Sequence, residues 1–164
     1  MYHSKEQITA PPRPDGFTLV EVLVAVLVLS IGLLGIASLQ ATSLRHNNDA
    51  SMLTQASYIA SDMADRMRAN AASANTYSTA APVAAGGNCV TGTCNSGEMV
   101  QNDLAEWNLL VQALPAGQGT ITDLGNGLFT IIVRWDEARN GAAGIGCNPD
   151  DDNDLRCLSI TTQP

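Results

Sequence analysis

The longest apolar run in the chain is Phe17–Leu39, which reads FTLVEVLVAVLVLSIGLLGIASL with Glu21 as its single charge. A helix of roughly 20 such residues crosses a hydrocarbon core about 30 Å thick. After a polar stretch at 45–51 (RHNNDAS), a helical stripe follows: Met52, Ala56, Ile59, Ala60, Met63 and Met67. Apolar positions three and four apart share one helix face. The pattern therefore predicts a helix from Phe17 to about Asn70, predominantly apolar in its first half and amphipathic in its second. The stripe is expected to pack against the rest of the same chain. Asp62 and Arg66, four apart with the acid first, are expected to form a surface pair.

Residues 71–97 are rich in Ala, Ser, Thr, Asn and Gly and predict a connecting loop. A second, short helix is predicted over 102–114, with Asn102 as N-cap. Leu104, Trp107, Leu110, Val111 and Leu114 form its apolar face, and Pro115 and Gly117 end it. Three strands follow in prediction: Gly119–Leu124, Leu128–Asp136 and Leu155–Thr162. Asn126-Gly127 is a hairpin turn signal. Phe129, Ile131, Val133 and Trp135 alternate onto one face, and Leu158 and Ile160 point inward. Helix, loop and then antiparallel strands predict an α+β fold in which a small sheet covers the stripe of the long helix.

The formal net charge of -8 argues against nucleic acid as a partner, because phosphate binding needs a basic surface. His3 lies in the polar segment ahead of the apolar run, His46 sits at the exit from that run with no evident nucleophile beside it, and neither a Gly-rich phosphate loop nor a metal-ligand pair occurs. The sequence therefore predicts a protein that is not an enzyme and that needs no cofactor. Glu21 is the feature that composition does not explain. A carboxylate within a membrane helix costs about 2.5–3.5 kcal/mol on insertion scales. Two readings fit it: the acid snorkels to the bilayer surface, or it meets a cation. If the chain were cut after Gly16, the new amino group of Phe17 would lie one helical turn away.

Gly16-Phe17-Thr18-Leu19-Val20-Glu21, followed by the uninterrupted apolar run, resembles the type IV prepilin signature. SIGLLGIASLQ and SDMADRMRAN are further similar to minor pilins of the PilV kind. That resemblance implies a leader, residues 1–16, removed by a prepilin peptidase that also methylates Phe17, with Glu21 as the assembly acid. It implies an assembly and membrane helix over 17–44 and a periplasmic pilin domain over 45–164. The protein would wait in the inner membrane as a single-pass precursor and then enter a surface filament. Its partners would be the major pilin and other minor pilins. Its work would be to initiate pilus assembly and support adhesion and twitching motility. A minor pseudopilin of a type II secretion system shares the leader, the helix and the acid, and stands as the alternative. Two departures from the family pattern exist. Asp15 occupies a place where a basic residue is usual, and no proline interrupts the helix between Pro14 and Pro82. Gly32 and Gly35 could soften it instead, or serve close packing in the membrane.

In the oxidising periplasm, Cys89, Cys94, Cys147 and Cys157 favour two disulfides. Three connectivities are possible, and local pairing, Cys89 with Cys94 and Cys147 with Cys157, is the expectation. Zinc ligands usually lie closer together than Cys147 and Cys157, so no metal is expected there. The acidic run 148–154 leaves calcium open, although the EF-hand glycine and closing glutamate are missing.

Overall fold

The computed structural model describes residues 16–78, 89 and 92–164. The expected leader up to residue 15, and residues 79–88 and 90–91 of the expected connecting loop, lie outside the described residues. The chain divides into two compact units at Leu44 and Arg45. Helix α1 runs Leu19–Ala69, a short 3₁₀ helix follows over Ala71–Tyr77, and α2 covers Ser96–Gln112. Strands β1 (Gln118–Gly125), β2 (Leu128–Trp135) and β3 (Arg156–Thr162) form one antiparallel sheet in the order β1-β2-β3. This is the α+β architecture that the hydrophobic pattern predicts, in the arrangement that the prepilin resemblance implies.

The unit up to Leu44 contains the apolar part of α1. From Phe17 to Leu44 its large hydrophobic residues are all exposed. Length and composition suit this helix to crossing a membrane. Its first turn is set by Thr18, whose side-chain oxygen accepts a hydrogen bond from the Glu21 amide at 3.3 Å. A threonine at this position satisfies one of the donors that every helix start leaves open.

In the unit from Arg45 onward the stripe residues Met52, Ala56, Ile59, Ala60, Met63 and Met67 are all buried. They share one core with Leu104, Trp107 and Val111 of α2 and with Ile121, Phe129, Ile131, Val133 and Trp135 of the sheet. Leu158 and Ile160 pack against its margin, half-buried. Trp107 joins the layers twice. Its indole N–H donates to the Ile59 carbonyl at 3.0 Å, which gives its polar edge a partner inside an apolar core. Its ring also lies over Gly119, where a Cβ would approach within 2.3 Å, so only glycine fits at this point of β1. Asn126 and Gly127, both at positive φ, turn β1 into β2.

The second helix departs from the sequence expectation. It starts at Ser96 rather than near 102, and its N-cap is Asn95, not Asn102. Asn95 accepts from the Glu98 amide at 2.9 Å while the Glu98 carboxylate accepts from the Asn95 amide at 2.9 Å. This reciprocal capping box lies inside a stretch whose small polar composition reads as loop. Asn102 instead sits within the helix and donates to Glu106 at 3.1 Å. Leu110, expected on the apolar face, is 37% exposed, and Val100 and Asp103 are buried in its stead.

A polar hub ties α1 to α2. Arg66 reaches Asp62 at 2.8 Å, Asp103 at 3.1 Å and Glu106 at 2.7 Å. The Tyr77 hydroxyl donates to the other oxygen of Asp103, and the Asn70 side chain donates to the Ser96 carbonyl at 2.9 Å. The expected Asp62–Arg66 surface pair is thus one arm of a half-buried network. Burial works against the Arg66 charge, but the carboxylates of Glu106, Asp62 and Asp103 outweigh it and hold its pKa above the ordinary value. Arg66 and Asn102 hold the Glu106 carboxyl below its ordinary range. Burial, together with the bond to Asp103, pushes the Tyr77 phenol well up.

Candidate functional site

The sequence singles out Gly16, Phe17 and Glu21, and the structure places all three at the open end of α1. Gly16 and Phe17 precede the helix, and both are exposed. A Cβ at Gly16 would meet nothing within 4 Å. Phe17, Glu21, Ala25 and Leu29 recur every four residues and line one shallow apolar recess along the helix, together with Val22 and Val26. The acid is the one charged group in that recess.

Two local features favour a carboxylate at this position. Glu21 lies in the first turn, where the helix dipole attracts negative charge with about 0.3–1 kcal/mol. The Thr18 cap fixes the backbone of that turn. Neither matches the cost of about 2.5–3.5 kcal/mol that a carboxylate meets in hydrocarbon. No ion pair involves Glu21 among the described residues. Within a membrane or an apolar interface, Glu21 therefore remains in deficit until a cation reaches it. That is a property suited to recognition: the acid rewards the arrival of one specific charge.

The cysteines lie in the unit from Arg45 onward. Cys89 is bonded to Cys94 and Cys147 to Cys157, each pair with Cα atoms 5.5 Å apart. The first bridge ends at the threshold of the α2 capping box. The second joins the loop after β2 to the second residue of β3. Each closes a short loop, the paired cysteines lying five and ten residues apart in sequence.

The acidic run 148–154 is occupied with its own folding. Asn148 donates its amide to Asp154 at 3.0 Å, and Asp151 accepts the amide and the side-chain N–H of Asn153 at 2.9 Å and 3.0 Å. Buried Asp136 accepts the amides of Asn140 and Gly141 at 3.3 Å and 2.9 Å. These are turn-forming contacts. Among the described residues no three His, Cys, Asp or Glu side chains converge as metal ligands.

The groups that sequence reasoning missed are Asp103, Glu106 and Tyr77, which complete the Arg66 hub. Their signal in the sequence is faint. Asp103 and Glu106 are three apart in the middle of α2, and nothing local points them at Arg66.

Residues 13–37 match the family model described as the prokaryotic N-terminal methylation motif, and residues 38–105 match the model described as Type IV pilin Tt1218. The two matches meet end to end, and together they take in the recess, the whole of α1 and the first half of α2. No curated protein and no solved structure matches the chain.

Proposed function

We propose that this chain, a type IV pilin that carries the prokaryotic N-terminal methylation motif, is a minor pilin that takes part in starting pilus assembly. The family is structural rather than enzymatic. In this reading a prepilin peptidase cuts after Gly16 and the new amino group at Phe17 is methylated. The apolar first half of α1 then holds the subunit in the inner membrane, with residues from Arg45 onward in the periplasm, until it joins a surface filament. Other minor pilins and the major pilin are its partners there, and adhesion and twitching motility are the processes it serves.

The observation that carries this reading is the recess shared by Phe17 and Glu21. A lone carboxylate faces an apolar surface at the very point where cleavage creates an amine. Cleavage thus supplies the kind of charge that Glu21 lacks, in the same subunit or in its neighbour. The residues flanking the cut are exposed, as a protease requires. The C-terminal unit, with its disulfides in an exported compartment, would face outward on the filament.

Two measurements on the protein isolated from its native cells test the proposal. The intact mass and N-terminal sequence should show a chain beginning at methylated Phe17. Filaments sheared from the cell surface should contain the protein in small amounts relative to the major pilin. A different mature N-terminus would overturn the processing step. Absence from filaments, with the correct N-terminus, would overturn the pilus role and point to a secretion pseudopilus.

A further inference from the structure

The sequence holds two Asn-Gly pairs, Asn126-Gly127 and Asn140-Gly141. This dipeptide is the one most open to spontaneous loss of the side-chain amide, because glycine leaves the following peptide nitrogen unshielded. Both asparagines are exposed, so exposure alone does not distinguish them. Their hydrogen bonds do.

Asn140-Gly141 is held at every atom the reaction uses. The Asn140 side-chain N–H donates to the Asp152 carbonyl at 3.1 Å, and its oxygen accepts the Ala142 amide at 3.1 Å. The attacking nitrogen, that of Gly141, donates to buried Asp136 at 2.9 Å, and Asn140 N donates to the same carboxylate at 3.3 Å. A nearby carboxylate that accepts this N–H also opposes removal of its proton. Asn126-Gly127 lies instead at the tip of the β1–β2 hairpin. Among the described residues no hydrogen bond holds the Asn126 side chain or the Gly127 amide. A side chain at Gly127 would have only the end of Gln163 within 4 Å, at 3.9 Å.

We propose that Asn126 is a site of spontaneous deamidation and that Asn140 is protected from it by the fold. The Gly127 nitrogen, having lost its proton to solvent, attacks Cγ of Asn126. A cyclic imide forms, and the side-chain nitrogen leaves as ammonia. Water then opens the imide at one carbonyl or the other, giving aspartate or isoaspartate. Either product places a new negative charge between Leu124 and Leu128, both exposed at this tip. The isoaspartate also routes the backbone through the former side chain. That lengthens a turn whose two positive-φ residues set the β1–β2 register. The hairpin tip, where the Asp123 carboxylate already accepts the Gly125 amide at 2.7 Å, would thus gain a second negative charge as the protein ages.

The test is incubation of the full chain in detergent at mildly alkaline pH, with peptide mass mapping over time. The same chain, reduced and denatured, serves as the reference for unprotected reactivity. In the folded protein, conversion at Asn126 should outpace that at Asn140 by about tenfold or more, since Asn140 reacts only after local opening breaks its held contacts. In the denatured chain the two sites should convert at similar rates. Equal conversion at both sites in the folded protein would overturn the protection. Conversion at Asn126 in the denatured chain alone would show that the turn shields it and would overturn the site itself.

Discussion

At the scale of single residues, the Arg66 hub concentrates the most consequence in one side chain. Three carboxylates from two helices converge on one guanidinium. A fork of several N–H donors suits this, whereas an ammonium would satisfy the geometry less well. Arg66→Ala should lower the unfolding free energy by about 2 kcal/mol, the loss expected when charged hydrogen bonds are removed and the acids they served remain. The half-exposed Glu106 arm contributes least to that loss, because solvent screens it. Thermal unfolding of the full chain in detergent measures the effect, and Arg66→Lys should fall between the two. The same hub makes stability depend on pH. Glu106 is held below its ordinary range when folded. Its contribution is therefore present above the unfolded value, about 4.3, and is lost as pH falls through the lower folded value. Unfolding midpoints followed downward from neutrality should drop in that acid window, and Glu106→Gln should flatten the drop.

At the scale of elements, α2 shows how local chemistry can override composition. The segment 71–97 looks like loop because it is rich in small polar residues, yet Asn95 and Glu98 close a capping box that starts the helix at Ser96. Removing the cap should cost about 1 kcal/mol. Asn95→Ala should lower the thermal midpoint and loosen amide protection in the first turn of α2, as hydrogen exchange would show, while leaving the sheet unaffected. The other elements were legible because one physical signal dominated each. The stripe from Met52 to Met67 has strict helical spacing, and Phe129 to Trp135 alternates strictly, so burial followed from the pattern. The strand ends fell within a residue of expectation, since Asn126-Gly127 pins the turn between them. Arg66 was less legible. Its i−4 acid is visible in the sequence, but Asp103 and Glu106 reach it only after α2 packs on α1, and no local pattern encodes that pairing. Glu21 was legible as an anomaly because one charge in a long apolar run needs only composition to be seen.

At the scale of the whole molecule, the proposed function asks one acid to serve both insertion in the membrane and recognition between subunits, and these two demands oppose each other. For insertion Glu21 is a burden of about 2.5–3.5 kcal/mol, reduced only in part by its place in the first helical turn. In the proposed assembly it would be the group that tells a processed neighbour, with its amine at Phe17, from an unprocessed one. Glu21→Gln separates the two demands, because the amide keeps the size and one accepting oxygen of the acid and gives up its charge. If charge pairing is what Glu21 provides, the variant should sit in the membrane at least as well as the parent and should be cut after Gly16 normally. Its share in sheared filaments should nevertheless fall severalfold, and its crosslinks to other pilins in the membrane should weaken. If the side chain merely fills space beside Ala25 and Leu29, incorporation of the Gln variant should equal that of the parent. Measuring membrane content, the mature N-terminus and filament content on the same cells distinguishes these outcomes. A fall in filament content counts as loss of pairing only when the other two are unchanged.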